Sequence, residues 1–127
     1  MIGNCFYYQT PPKGDHLFVV RAPSLEQKGW FVCVNITTKR DGADSSCELF
    51  QGEHQELTSA VSVLVYGQAR EFPTPFILRL MQDQRLPQMS SDLLMRIQQA
   101  ALGEVSRMKK KFQNAIREHL RSDAHKP

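Results

Sequence analysis

Hydrophobic and polar residues change their period near position 90. Upstream of it, short apolar runs alternate with turn residues. Phe6-Tyr7-Tyr8 predicts a short edge strand, broken by Pro11-Pro12-Lys13-Gly14. His16-Leu17-Phe18-Val19-Val20, β-branched and aromatic and bounded by Gly14 and Pro23, predicts a full strand. Ala22 to Gly29 reads as a loop, Trp30 to Val34 as the next strand and Ser46 to Phe50 as a third. Val61 to Tyr66 alternates, with Val61, Val63 and Val65 on one face and Ser62, Leu64 and Tyr66 on the other, before Gly67 closes it. Lys39 to Ser45 carries an Asp41-Gly42 turn signal, so its flanks are expected to pair as a hairpin across a longer loop. Phe76 to Leu80 is expected to be extended as well, because Pro73 and Pro75 disfavour a helix just before it. Such a series of short strands with turns between them fits a small, strongly bent sheet or barrel.

Downstream, the apolar spacing becomes helical. Ser90-Ser91-Asp92 is an N-cap cluster, followed by an apolar stripe of Leu94, Ile97, Ala101 and Leu102 and a stop at Gly103. A second helix is expected from near Ser106. Its stripe is Val105, Met108, Phe112, Ile116 and Leu120, with Lys109, Lys110, Lys111, Arg117 and Arg121 on its other sides. The expected organisation is one α+β domain over residues 1–127, with a small β-barrel over about 4–80 and two C-terminal helices over about 90–122.

Composition narrows the class without naming a function. Hydrophobic content of 41% and charged content of 23% are ordinary for a globular chain, and no run approaches the ~20 apolar residues of a membrane span. The start of the chain lacks the basic-then-apolar pattern of a signal peptide. Cys5, Cys33 and Cys47 are odd in number, with no C-x-x-C pair and no His at ligand spacing. That predicts neither a disulfide framework nor a zinc site, and a reducing, cytoplasmic setting. The net charge of +3 lies in the last helix: residues 104–127 carry seven Lys/Arg against three acids. A phosphate-binding face has this signature, and so does a solvated helix.

The polar chemistry gathers between Phe31 and His54, FVCVNITTKRDGADSSCELFQGEH, at the ends of apolar strands. Its order is a strand at His16–Val20, a strand running into Cys33-Val34-Asn35-Ile36-Thr37-Thr38, an Asp/Cys strand, Gly52-Glu53-His54, and Ser62-Val63-Leu64-Val65-Tyr66 before the helices. In this it resembles the MazF/PemK-like toxin family. The resemblance spans roughly residues 13–121 and implies an SH3-like (MazF/PemK/CcdB-type) β-barrel with C-terminal helices. It further implies a homodimer, an antitoxin protein as partner in a type II system, and cleavage of single-stranded RNA without a metal or other cofactor. The two-threonine ending implies a catalytic role for Thr37. Two departures stand against it: the family's opening strand is reduced to Asn4–Tyr8, and its catalytic arginine is replaced by Asp15-His16.

Such cleavage uses the substrate's 2′-OH as nucleophile. The protein must take that proton, protonate the departing 5′ oxygen and stabilise charge on phosphorus. Histidine suits both transfers. His16 and His54 flank the central stretch and are the expected acid–base pair, while His119 and His125 are expected on the surface. The bland alternatives are an exposed strand start for His16 and a turn residue bonding its own backbone for His54. Expected RNA contacts are Asn35, Thr38, Lys39, Arg40, Asp44, Ser62, Tyr66 and Arg70. Asn35 and Asp44 would read base edges or orient a histidine, Tyr66 would stack on a base or pack in the core, and the cations would meet phosphate. The competing functional class is a non-catalytic SH3-like module holding protein or nucleic acid. It is separable by whether Arg40 or Arg70 projects into the same mouth as His54, which favours the enzyme, or both point away from it, which counts against the enzyme. A third reading makes the Val105–Leu120 stripe a docking helix for a partner.

Overall fold

The computed structural model describes residues 1–10 and 14–124, so the expected break at Pro11-Pro12-Lys13 and the positions of His125 and Lys126 lie outside the described residues. The elements in chain order are β1 (Cys5–Gln9), β2 (Asp15–Pro23), β3 (Trp30–Thr38), β4 (Glu48–Phe50), β5 (Val61–Leu64), a 3-10 turn at Tyr66–Gln68, β6 (Arg70–Pro73), α1 (Thr74–Gln84), α2 (Ser91–Ala101) and α3 (Lys110–Ala124). The architecture is α+β: one antiparallel sheet in the order β1-β2-β3-β5-β4, with β6 paired to β3 beside this path and the sheet left open.

β1, β2 and β3 form a meander, with Phe6 opposite Phe18 and Val19 opposite Val34. The register slips between Val20 and Ala22, which makes Arg21 the extra residue of a bulge. The far edge of β3 is divided between two partners. β6 pairs with Trp30 to Cys33 and β5 with Ile36 to Thr38. Between the two ladders, the Asn35 carbonyl accepts from Val65 N at 2.9 Å.

Strand alternation sends the central side chains to two cores. Leu17, Val19, Ala22, Val32, Val34 and Ile36 pack with Leu93, Ile97 and Ala101 of α2 and Phe112, Ala115 and Ile116 of α3. Phe6, Phe18, Val20, Cys33 and Phe72 pack on the opposite face with Ile77 of α1. There Phe6 stacks on Phe18 at 5.7 Å, and Phe72 meets Phe6, Phe18 and Tyr8 edge-on at 5.1–5.4 Å. Because β2 and β3 are covered on both faces, they read as unbroken apolar runs.

Four expectations are corrected. Phe76–Leu80 is helix, not strand. Pro75 sits in the first turn of α1, where its missing N–H costs nothing, and the apolar contacts at Phe76, Ile77, Leu80 and Met81 follow the helical period. The flanks of Lys39–Ser45 do not form a hairpin, because the more apolar β5 takes the place beside β3 and the three-residue β4 is left at the edge. β6 went unforeseen, since Phe72 is its one buried residue. The last helix begins at Lys110 rather than near Ser106, which leaves Val105 78% exposed and outside the stripe. Met108, Phe112 and Ile116 are buried within the chain itself, so that stripe does not wait for a partner.

The N-terminal residues are stitched in from both sides. Gly3 N donates to Val20 O at 2.8 Å, and Gly3 O accepts from Met89 N at 2.9 Å. Gly3 has φ +89°, and a Cβ there would stand 2.7 Å from Leu94 Cδ1. On the opposite side of the helical layer, the buried Tyr66 hydroxyl donates to Ile97 O at 2.7 Å. Two expected outcomes in urea denaturation check this packing. Phe72→Ala should cost about 3–5 kcal/mol, the range for emptying a buried aromatic site, and Tyr66→Phe about 1 kcal/mol for one net hydrogen bond.

Candidate functional site

α1 covers only part of its face of the sheet. Beyond the Phe6/Phe18/Phe72 cluster the same face stays open, and alternation decides which residues floor it. His16 and Phe18 come from β2, Asn35 and Thr37 from β3, Val63 from β5 and Arg70 from β6. The Arg40–Asp44 loop and the Gly67–Ala69 segment wall it, and Lys109 reaches it from the turn before α3. The result is an open groove of about 1030 Å³.

Among the expected site residues, the groove brings together His16, Asn35, Thr37, Thr38, Arg40, Asp44 and Arg70. His16 is half-buried, with Nδ1 2.6 Å from Thr10 Oγ1, an engagement that leaves Nε2 as the unengaged ring nitrogen. Arg40, Arg70 and Lys109 are exposed, and among the described residues none of them is in an ion pair. They face Asp41 and Asp44 in the same groove, so cations outnumber carboxylates by three to two. Thr37 and Thr38, adjacent on a strand, diverge. Thr37 pairs across from Val63 on the groove face, while Thr38 stays at the rim and turns its hydroxyl to Ser59 Oγ at 2.9 Å.

The other expected residues lie elsewhere. His54 does not meet His16. It is 7% exposed, its Nδ1 accepts from Glu56 N at 3.1 Å, and its Nε2 donates to Pro87 O at 2.8 Å. Both partners have a single role, so the ring is held as the neutral Nε2–H tautomer with no free nitrogen. It bolts the β4–β5 loop to the α1–α2 linker. Tyr66 is fully buried, and burial pushes its phenol well above the ordinary range, so it serves as a fixed core donor rather than a surface for bases. Lys39 is paired with Glu48 at 2.7 Å outside the groove. Ser62 faces the opposite side of the sheet, where it lines a smaller cavity of about 190 Å³.

Sequence reading placed Lys109 on a solvated helix side and gave Thr10 no role. Neither carries a local signal, because only the packing of α3 on β2 and the β1–β2 pairing bring them to the groove. All three thiols are buried, and burial raises each of them, Cys5 to about 12, so none is a nucleophile near neutrality. Among the described residues, no group of three or more His, Cys, Asp and Glu is placed to hold a metal ion. Among the described residues, no helix is long and apolar enough to cross a membrane. No protein-family model, curated protein or solved structure matches the chain.

The position of His54 has a measurable consequence. His54→Ala should lower unfolding free energy by about 1–3 kcal/mol, since it strands the Glu56 N–H and the Pro87 carbonyl. Urea titration of the two proteins checks this, and a variant as stable as the parent would show that the bolt carries no weight.

Proposed function

We propose that the open groove binds single-stranded RNA and cleaves it by metal-independent transesterification. The observation that carries this reading is one histidine, the Thr37 hydroxyl and three cations that have no carboxylate partner among the described residues, all on a single open face. In the proposed reaction Thr10 orients the imidazole and His16 Nε2 takes the proton of the substrate 2′-OH. The 2′ oxygen attacks phosphorus and the P–O5′ bond breaks. The departing 5′ oxygen takes a proton from water, which the open groove admits. Thr37 donates to a phosphate oxygen, and Arg70 or Arg40 supplies the fixed positive charge that the phosphorane needs. His54, with both nitrogens engaged, has no part in it.

With this goes the rest of the MazF/PemK-like proposal: an SH3-like barrel, here open, a homodimer, an antitoxin protein as partner in a type II toxin–antitoxin system, and action in the cytoplasm. Its support is the antiparallel sheet followed by C-terminal helices and the ending of β3 in two threonines.

The second reading is a binding module that holds RNA without cutting it. One observation favours it: the groove holds a single histidine, so no second imidazole is at hand for the leaving group. Incubation with long single-stranded RNA in EDTA separates the two. Cleavage predicts fragments ending in 2′,3′-cyclic phosphate, formed about 10²–10⁴-fold more slowly by a His16→Ala protein with an unchanged melting curve. RNA that is bound but intact selects the binding module. RNA that is neither bound nor cut by folded protein overturns both.

A further inference from the structure

Asn35 stands out on the groove floor. It is 4% exposed, its Oδ1 is buried without a hydrogen-bond partner, and its side-chain nitrogen makes no hydrogen bond to the described residues. A buried amide with no protein partner is rare in native structures. Asp44, on the wall of the same groove, shows a related deficit. Its Oδ1 takes both Ser46 N at 3.0 Å and Ser46 Oγ at 2.7 Å, while Oδ2 is buried and accepts from none of the described residues. The Ser46 bonds fix the carboxylate plane and leave one oxygen lacking a donor.

The geometry points to a guanine-binding site built from Asn35 and Asp44, which deepens the RNA reading and rests on it for the strand context. An ionised carboxylate only accepts, whereas a primary amide both donates and accepts. As the amide stands its buried end is the acceptor Oδ1; turned end for end it offers Nδ2 there instead, and a base that then meets Asn35 Nδ2 and the Asp44 carboxylate together must offer an acceptor beside adjacent N–H donors. Guanine alone among the common bases has this edge: O6 for the Asn35 amide, and N1–H with the 2-amino group for Asp44. Adenine and cytosine place a ring-nitrogen acceptor next to a single amino group, and uracil flanks its one N–H with two carbonyls. Each would set an acceptor against the carboxylate. Arg40, Arg70 and Lys109 stand around the same groove to take the flanking phosphates. Both atoms are shielded from solvent. A base reaches them when the Asn35 amide turns and the exposed Arg40–Ala43 turn, closed by one bond from Ala43 N to Arg40 O at 3.0 Å, swings outward.

The test measures the affinity of the folded protein, by fluorescence anisotropy, for short oligouridine strands with a central guanosine, inosine, adenosine or cytidine. GMP and AMP are measured separately as competitors. The strand with guanosine should bind about tenfold or more tightly than those with adenosine or cytidine, and inosine, which lacks the 2-amino group, should lose much of that gain. In proteins shown to be folded, Asp44→Asn should abolish the preference for guanosine over adenosine and cytidine, and Asn35→Ala should weaken guanosine more than adenosine or cytidine. Strands bound equally whatever the central base would overturn the guanine site and leave the RNA reading standing. GMP bound over AMP, sensitive to Asp44→Asn, with no strand bound, would uphold the guanine site and overturn the RNA reading. If neither strands nor GMP bind, both fall.

Discussion

Along its outer edge, β3 has to satisfy its backbone groups with two different strands, and most of the architecture follows from that division. A single long partner would have continued the sheet as a flat ladder. Instead β6 takes the first half and β5 the second, with the 3-10 turn at Tyr66–Gln68 carrying the chain from one to the other. The ladder is interrupted at Val34–Asn35, where a lone bond from Val65 bridges the gap. The side chain at that interruption is the polar Asn35, and it lies on the face that α1 leaves open. The groove is therefore the place where the pairing changes hands. Backbone hydrogen-bonding capacity is obligatory, so the position of such a gap is as constrained as any core residue.

Several residues that look chemical in the sequence are fastenings between layers. His54 ties one loop to the linker between helices, Tyr66 ties the end of β5 to α2, and Arg96 ties α2 to β4 through Glu53 and the Glu48 carbonyl. In each case the polar group is bonded to a backbone group or charge on an element distant in sequence, and for His54 and Tyr66 burial requires it. The groove residues differ in this respect. Among the described residues, His16 is held by one short bond on one nitrogen, Asn35 and Asp44 keep unsatisfied atoms, and the groove cations have no carboxylate partners. Among the described residues, two of the three buried side-chain atoms without a hydrogen-bond partner line the groove, and the third, Arg21 Nε, lies in the bulge of β2.

Local pattern carried much of the sheet and the second helix. The apolar runs at His16–Val20, Trp30–Val34 and Val61–Leu64 are strands because period and composition agree there, and Ser90 caps α2 as its spacing indicates, accepting from Leu93 N. What local pattern could not supply was competition between segments. Whether β4 or β5 sits beside β3 depends on which buries more, and whether Phe76–Leu80 is strand or helix depends on a face presented to β1 and β6. The site was legible to the same extent. Asn35, Thr37, Arg40 and Asp44 share a strand and the loop after it, so they stay together in any fold that keeps that strand. The two histidines, separated by two strands, were brought apart by topology that no short window contains.

Gly3 sets a practical boundary on handling the molecule. Its backbone bonds reach β2 on one side and the residue before α2's cap on the other, its φ of +89° favours glycine, and a methyl group there would push against the end of the Leu94 side chain. The first residues are thus part of the joint between the sheet and the helical layer, not a free handle. A dye or surface anchor attached there would pull on the seam that seats α2. The exposed Leu25–Gly29 turn, at the opposite end of β3 from the groove, offers an attachment point that strains neither the joint nor the open face.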